Sequence, residues 1–574
     1  MVSKAPSAPR CAAIVGSYLS GKTTLFESIL HSAGATNRRG SVTDGNSVGD
    51  RSPESRAREM SVEMNVATVD YLGEEWTFID CPGSVELQQE TIGALMVVDA
   101  AIVVCEAGQE KALAVTRLMK ELDDLGIPYL VFVNKMDLPE AHVKTTLEAL
   151  QGMTERPLVL REIPIREDNV VTGFIDLVSE RAYKWEESAP SNLIEIPEQV
   201  NGRTEEERTQ MLEALADFND DLLEQLLEDV VPGAEVVYQN LTHDLQDGAI
   251  VPVFFGSAEH ENGIHRLLKA LRHETPEYTA TLDRLGLDAE GDAVAQVFKT
   301  QHGAQSGKLS LARIWRGEFA DSTSLNNTRI SGIFKMFGAQ QKKQSKATPG
   351  EIVALGRLEG VQTGDTLSVS GTVEGPAWPA FLTPVYALSI YAGRRDDEVK
   401  MATAMTKIIE EDPSLSYGPN IDTGQHLLRG QGETHLRIAL DRLKNRNKLD
   451  IEAEIPHVAY KESIRDAVSQ HARHKKQSGG HGQFGDVHVD IKPLPRGSGF
   501  QFTDSVKGGV VPRNYIPAVE HGVKDYLVRG PLGFPVVDVA VELTDGQHHA
   551  VDSSDQAFKT AGSLAMREGM PKCK

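Results

Sequence analysis

Gly16-Ser17-Tyr18-Leu19-Ser20-Gly21-Lys22-Thr23-Thr24 decides the fold of this chain. Five apolar or small residues, 11 to 15, run into Gly16, and Leu25, Phe26, Ile29 and Leu30 follow Thr24 at helical spacing. The pattern reads strand, glycine-bounded loop, helix. Glycines at both ends of such a loop let the backbone wrap closely around a phosphate with its N–H groups pointing inward. Lys22 is expected to reach the outer phosphates and the Thr23 hydroxyl to ligate Mg²⁺, while the helix start offers its dipole to the anion.

Further strands read at Trp76 to Asp80, Ala101 to Cys105, Tyr129 to Val133 and Val251 to Phe255, with a helix from Lys111 to Leu122 carrying Leu113, Val115, Leu118, Met119 and Leu122 on one side. Strands alternating with helices imply a parallel sheet covered on both faces, with ligands beyond the carboxyl ends of the strands. Three of these strands end in chemistry-bearing runs. Asp80-Cys81-Pro82-Gly83 places a carboxylate for Mg²⁺ and a glycine N–H for a terminal phosphate. Asn134-Lys135-Met136-Asp137 places a carboxylate that can accept the two N–H donors on the guanine edge, a pair adenine lacks. The Lys135 stem is expected to cover the base, and the Ser257 and Ala258 N–H groups to meet the guanine oxygen. The nucleotide is therefore read as GTP/GDP. Ser61, between the first and second motifs, is the candidate mobile hydroxyl closing on Mg²⁺, so the metal set is Thr23, Ser61 and Asp80.

Around this core, the 574 residues suggest about four domains. Composition is that of a globular protein, 40% hydrophobic and 25% charged, which excludes a disordered, collagenous or disulfide-built chain. The four cysteines lie far apart with no Cys-x-x-Cys pair, as expected for a reducing, cytoplasmic setting. No signal peptide or membrane span reads in the sequence. A net charge of −24 disfavours indiscriminate nucleic-acid binding, although a local basic patch can still serve it. Residues 1–285 are expected to form the nucleotide-binding domain, interrupted at about 157–253 by an insert. There a β-like stretch precedes helices with twelve acidic and two basic residues between Glu195 and Asp229. Residues 290–375 read as a β-barrel. Residues 383–457 follow the strand-helix-strand-strand-helix-strand order of a ferredoxin-like domain, and residues 458–574 form a fourth domain of more strands and two helices. The fold class is multidomain α/β and α+β.

From about residue 10 to about residue 572 the sequence resembles the translational GTPases, specifically bacterial elongation factor G. Beyond the nucleotide motifs, the resemblance rests on Glu410-Glu411-Asp412-Pro413, Gly430-Gln431-Gly432-Glu433-Thr434-His435-Leu436 and Ala459-Tyr460-Lys461-Glu462. His474 to Gly485, Gly508 to Arg513 and Val551-Asp552-Ser553-Ser554 complete it. The resemblance implies a P-loop GTPase domain with an inserted subdomain, a barrel, a ferredoxin-like domain and a fourth α+β domain of split-βαβ, S5-like character. It implies a monomeric cytoplasmic protein acting on the ribosome, on rRNA and ribosomal proteins, and near tRNA–mRNA in the decoding region, with no membrane partner. The tip of the fourth domain would comprise Lys475, Lys476, Gln477, Ser478, Gly479, Gly480, His481 and His549.

Three departures stand out. Ser84 follows Gly83 where the family has a histidine that positions the attacking water. The catalytic set expected here is therefore Ser84, Lys22 and Gly83, with slow hydrolysis. Ser61 replaces a threonine. The chain stops at Lys574, where the family continues into a fifth domain, expected to be absent. The alternatives are a GTP-binding paralogue with little hydrolysis and no translocase activity, or a truncated, inactive product.

Overall fold

Strand Arg10–Gly16 runs through the middle of a sheet, hydrogen-bonded in parallel to Glu74–Asp80 on one side and Ala100–Glu106 on the other. Tyr129–Asn134, Val251–Phe255 and Leu158–Leu160 extend the sheet in parallel. These strands read as unbroken apolar runs because both faces are buried. Cys11, Ala13, Val15, Val103 and Val131 pack into one layer, and Ala12, Ile14, Val104, Leu130 and Phe132 into the other. The register pairs Gly16 with Val104, Ile14 with Asp80 and Glu106 with Asn134. The carboxyl ends, with their motifs, therefore lie together. The structure, a computed structural model, describes residues 7–139, 141–187, 189–303, 306–477 and 482–573.

Several elements differ from the sequence expectation. Asn65–Tyr71 is an additional strand, antiparallel to Glu74–Asp80 through a turn at Leu72 and Gly73, both at positive φ. The helix expected from Lys111 to Leu122 is two, Gln109–Leu113 and Thr116–Asp124. The Thr116 hydroxyl takes the Leu113 carbonyl at 2.8 Å in competition with the helical ladder, and Leu113 is 53% exposed. The insert holds four antiparallel strands, Glu162–Glu167, Val170–Asp176, Arg181–Glu186 and Ala189–Ile194, where one β-like stretch was expected. They pack with Asn201–Ala216, Asp220–Leu227 and Ala234–Gln246 around Ile163, Ile175, Leu215 and Leu241. The helix breaks between Ala216 and Asp220, and Leu223 and Leu227 are exposed.

Strands between Val294 and Ser368 form the β domain. A pairing of Phe337 with Ala67 makes them continuous with the nucleotide sheet. Asp99 fastens the two together: its carboxylate accepts Cys11 N–H, the Thr281 hydroxyl and Arg313 Nη2 at 2.7, 2.7 and 2.8 Å. Thr281 lies on helix Tyr278–Leu285, an element that was not read from the sequence. Next, Tyr386–Ala392, helix Glu398–Glu411, Ser416–Pro419, His426–Gly430, helix Glu433–Asn447 and Ile451–Glu454 follow the expected βαββαβ order. Both helices lie over one four-stranded sheet and share a core with Ile390 and Leu428.

The chain divides into two compact units; the second holds the chain from His457 on together with Ile421–Gly424. In that unit, Val468–Lys476, Gln483–Pro493, Val539–Gln547 and Phe500–Asp504 make one sheet in that order. Helices Ile516–Leu527 and Asp555–Gly569 cover one face, with Val487, Val489, Val541 and Phe558 in the core. No helix among the described residues is long and apolar enough to cross a membrane.

Candidate functional site

The loop after strand Arg10–Gly16 turns on glycine. Gly16 and Gly21 have φ of 152° and 89°, and a Cβ on Gly16 would run into the Val104 carbonyl. Tyr18 and Leu19 are exposed at the loop crest, while Ser20 is buried. Helix Lys22–Ser32 then begins, with Thr23 and Thr24 in its first turn. Lys22 Nζ, with the residue only 6% exposed, donates to the Ser17 carbonyl at 2.8 Å and closes the loop. Burial lowers the Lys22 pKa, and the nearby Asp80, Cys81 and Asp50 oppose that shift.

Around Thr23, oxygen ligands converge. Its hydroxyl donates to Asp80 Oδ2 at 2.8 Å and lies 3.0 Å from Ser61 Oγ. Ser61 donates to Asp50 Oδ2 at 2.8 Å. Asn65 Nδ2 joins both carboxylates, 2.9 Å from Asp50 Oδ1 and 3.4 Å from Asp80 Oδ2. Asp80 is wholly buried, and its Oδ1 has no hydrogen-bond partner. Burial, then the Asp50 charge, push its pKa up to about 7. Two hydroxyls beside two carboxylates, one with an unpartnered buried oxygen, suit a hard divalent cation such as Mg²⁺. The sequence brought Thr23, Ser61 and Asp80 forward but not Asp50 or Asn65, whose loop and strand show no local motif.

Cys81 and Pro82 are buried behind this cluster, and the Cys81 N–H donates to the Ile14 carbonyl at 3.0 Å. Gly83 admits no side chain, since a Cβ would meet Lys22 Nζ and the Ser17 carbonyl. Its backbone therefore lies against the loop. Ser84 caps the turn Val85–Leu87, its hydroxyl accepting the Glu86 N–H at 3.4 Å. The pocket beside it is bordered by Ser17, Tyr18, Arg58, Met60 and Thr434, with no histidine lining it among the described residues.

Asn134 Nδ2 donates to the Ser20 carbonyl and its Oδ1 accepts the Ala258 N–H, both at 2.9 Å. Lys135, at φ 60°, places Nζ 2.9 Å from the Leu19 carbonyl and from Glu106 Oε1. Its side chain thus spans from the Asn134–Asp137 turn to the glycine-bounded loop. Met136 N–H bonds the Gly256 carbonyl at 3.0 Å and steadies the turn. Asp137 remains partly open, with His260 Nε2 3.9 Å from its carboxylate. Ser257 N–H donates to the Asn262 carbonyl, and Ala258 N–H donates to Asn134 Oδ1 and braces that amide. The unpartnered group of that segment is the buried Ser257 hydroxyl.

The loops carrying Ser61 and Ser84 are tied to helix Glu433–Asn447. Arg58 reaches Asp441 at 2.6 Å, Asn445 donates to Glu54 at 2.6 Å, and Arg442 meets Glu63 at 2.9 Å. Glu86 accepts the His435 N–H at 2.8 Å, beside the helix start. Val62, Leu87 and Ile438 close an apolar cluster between the three segments. His435 is fixed in turn: its Nδ1 accepts Gln431 N–H at 3.1 Å, so Nε2 donates to Asp412 at 2.8 Å. Burial works against the Asp412 charge, but His435 holds its pKa well below the usual carboxylate range.

In the second unit, Lys475, Lys476 and Gln477 are exposed at the end of strand Val468–Lys476. Ser478, Gly479, Gly480 and His481 lie outside the described residues. The loop carrying His549 meets the same sheet end: Asp552 accepts Gly482 N–H at 3.0 Å, and the Ser553 hydroxyl donates to the Phe484 carbonyl at 2.9 Å. His549 Nδ1 accepts N–H groups from Val551 and Asp552 at 3.4 and 3.2 Å, so this ring also shapes its own turn.

The parallel sheet, the glycine-bounded loop and the Asn134–Asp137 turn are those of a P-loop GTPase domain, and three further domains' worth of chain follow it. Four family models match in sequence: the elongation factor Tu GTP-binding domain over residues 8–277, elongation factor G domain 2 over 292–370, domain III over 381–455, and domain IV over 456–574. An elongation factor G-like protein of Synechocystis sp. (strain ATCC 27184 / PCC 6803 / Kazusa) is 48% identical over 566 residues, covering 98% of this chain and 84% of the relative. A crystal structure of a Thermus thermophilus protein superposes with a TM-score of 0.88 at 31% identity, over 99% of this chain and 85% of that one. This chain belongs to the elongation factor G-like translational GTPases.

Proposed function

We propose that this protein is a ribosome-stimulated GTPase of slow intrinsic turnover, working as a GTP-dependent switch. One observation carries the reading: Thr23, Ser61 and Asp80 converge at the phosphate loop while the segments bearing Ser61 and Ser84 are held by helix Glu433–Asn447. A change at the γ-phosphate would then be passed directly to the ferredoxin-like domain. The residues proposed to bind GTP are 16–24, 80–84, Asn134, Lys135, Met136, Asp137 and the Ser257–Ala258 segment, with Asp137 selecting guanine. Mg²⁺, held by Thr23, Ser61 and Asp80, would supply charge neutralisation at the phosphates. Lys22 orients the outer phosphates, and the Gly83 N–H contacts the terminal one. Lys475, Lys476, Gln477 and His549 would meet RNA backbone at the decoding end.

Ser84 limits the rate. Its hydroxyl caps a turn and carries no imidazole charge, and loss of a positioned acid–base group costs about 10²–10⁴-fold. The same fact favours the second reading, a binding-only factor. Multiple-turnover hydrolysis with and without ribosomes, with Lys22→Ala as the blank, separates the two. Ribosome stimulation of the wild type, rising about 10²-fold or more in Ser84→His, supports the switch GTPase. GTP binding without stimulation in either protein leaves the binding-only factor.

A further inference from the structure

The open face of the sheet in the second unit carries a cluster that the nucleotide site does not use. His471 and His488 are register partners on the antiparallel strands Val468–Lys476 and Gln483–Pro493. Their rings stack with centroids 4.1 Å apart and planes 11° from parallel. Asp486, two residues before His488 and so on the same face, lies beneath them at 1% exposure. His471 Nε2 is 3.1 and 3.0 Å from its two carboxylate oxygens, and His488 Nε2 is 3.9 Å from Oδ1. Arg473, opposite Asp486 in the register, donates Nε to Oδ2.

We propose that His471, Asp486 and His488 form a binding site for a divalent transition metal, with zinc the best match. One ligand atom from each residue lies within 4.8 Å of the other two, so modest ring rotations bring all three to a common centre. Two imidazole nitrogens and a carboxylate oxygen suit zinc and its first-row neighbours, whereas Mg²⁺ and Ca²⁺ prefer all-oxygen sets. The ion takes the place of the His471 and Arg473 hydrogens on the Asp486 carboxylate. Both imidazoles then present unprotonated Nε2 to it, and any proton leaving Nε2 goes to Nδ1 or to solvent. Three protein ligands leave a fourth tetrahedral position for water. A cross-strand clamp at this position stiffens the hairpin below Lys475, Lys476 and Gln477. The competing account is that both rings and Arg473 do no more than satisfy a buried carboxylate.

The experiment is calorimetric titration of the full chain with Zn²⁺ alone as the added probe, in buffer holding excess Mg²⁺ and GDP. Thermal unfolding is followed in parallel. One equivalent of zinc is expected to bind and to raise the unfolding temperature. His471→Ala and His488→Ala should each weaken binding about tenfold or more. Arg473→Ala, which frees the carboxylate without touching a ligand, should bind at least as tightly as wild type. This third variant keeps the test alive should a histidine variant fold poorly. The proposal is overturned if the wild type shows no saturable uptake, if His488→Ala binds zinc like wild type, or if Arg473→Ala loses binding.

Discussion

Asp80 is a carboxylate with a fully buried side chain, a second carboxylate nearby and one oxygen without a partner. Its pKa rises from an ordinary 3.8 to about 7. Between those values the folded chain keeps a proton that the unfolded chain has released, so stability falls as pH rises through that window. The nucleotide-free protein should therefore melt higher at pH about 5 than at about 7.5 on account of this group, and Asp80→Asn should flatten the slope. Thermal unfolding across that range checks it. Saturating Mg²⁺ with GDP should also flatten it in the wild type, because a bound cation keeps Asp80 ionised. Asp137 acts at the same scale. Asp137→Ala should lose about 10³–10⁴-fold of the preference for GTP over ATP, read from competition binding. Asp137 was legible because strand end and motif coincide. Asp50 was not: it lies 11 residues before Ser61 in a loop without periodicity, and only the folded loop brings it to the Ser61 hydroxyl.

Elements decide how the site is held. Helix Glu433–Asn447 was readable from its sequence, but its role was not, because its partners Arg58, Glu63 and Glu86 are far away in the chain. Glu86 lies beside the exposed start of that helix, where a carboxylate is stabilising. Glu86→Ala should cost about 1 kcal/mol, seen as a lower unfolding temperature. Ile438→Ala, which empties the small cluster with Val62 and Leu87, should cost about 2–4 kcal/mol in denaturant unfolding. It should also raise the proteolytic sensitivity of the Ser61 segment. Periodicity misled where side chains compete with the backbone: the stretch from Lys111 to Leu122 looks like one amphipathic helix until the Thr116 hydroxyl takes the Leu113 carbonyl. Three of the four insert strands were missed, because strands of six residues carry a weak alternation signal.

Across the whole molecule, two compact units share one chain. In the second, helices Ile516–Leu527 and Asp555–Gly569 pack backbone to backbone. A Cβ on Gly522 would strike the Lys559 carbonyl, and one on Gly562 the Val519 carbonyl. Gly522→Ala gains helix propensity, about 1 kcal/mol, but overpacking costs about 1–3 kcal/mol or more where backbone must give way. The net effect should be destabilising and confined to the second unit. Scanning calorimetry should show the transition of residues 457–573 lowered, with GTP binding by the first unit unchanged.

The sequence by itself determined the glycine-bounded loop, the Asn134–Asp137 turn, the Asp80 strand end and the βαββαβ order. Each of these is local: its spacing is set by a strand end, a glycine turn or a helical repeat, and needs no distant partner. Tertiary structure alone decided the company these residues keep. It set Asp50 and Asn65 beside Asp80 and engaged the Ala258 N–H in bracing Asn134. It clasped the Ser61 and Ser84 segments with one helix and stacked His471 on His488 above Asp486. Those contacts join residues from separate strands, loops and domains, and a pairing across the chain has no signature until the sheets and helices have packed.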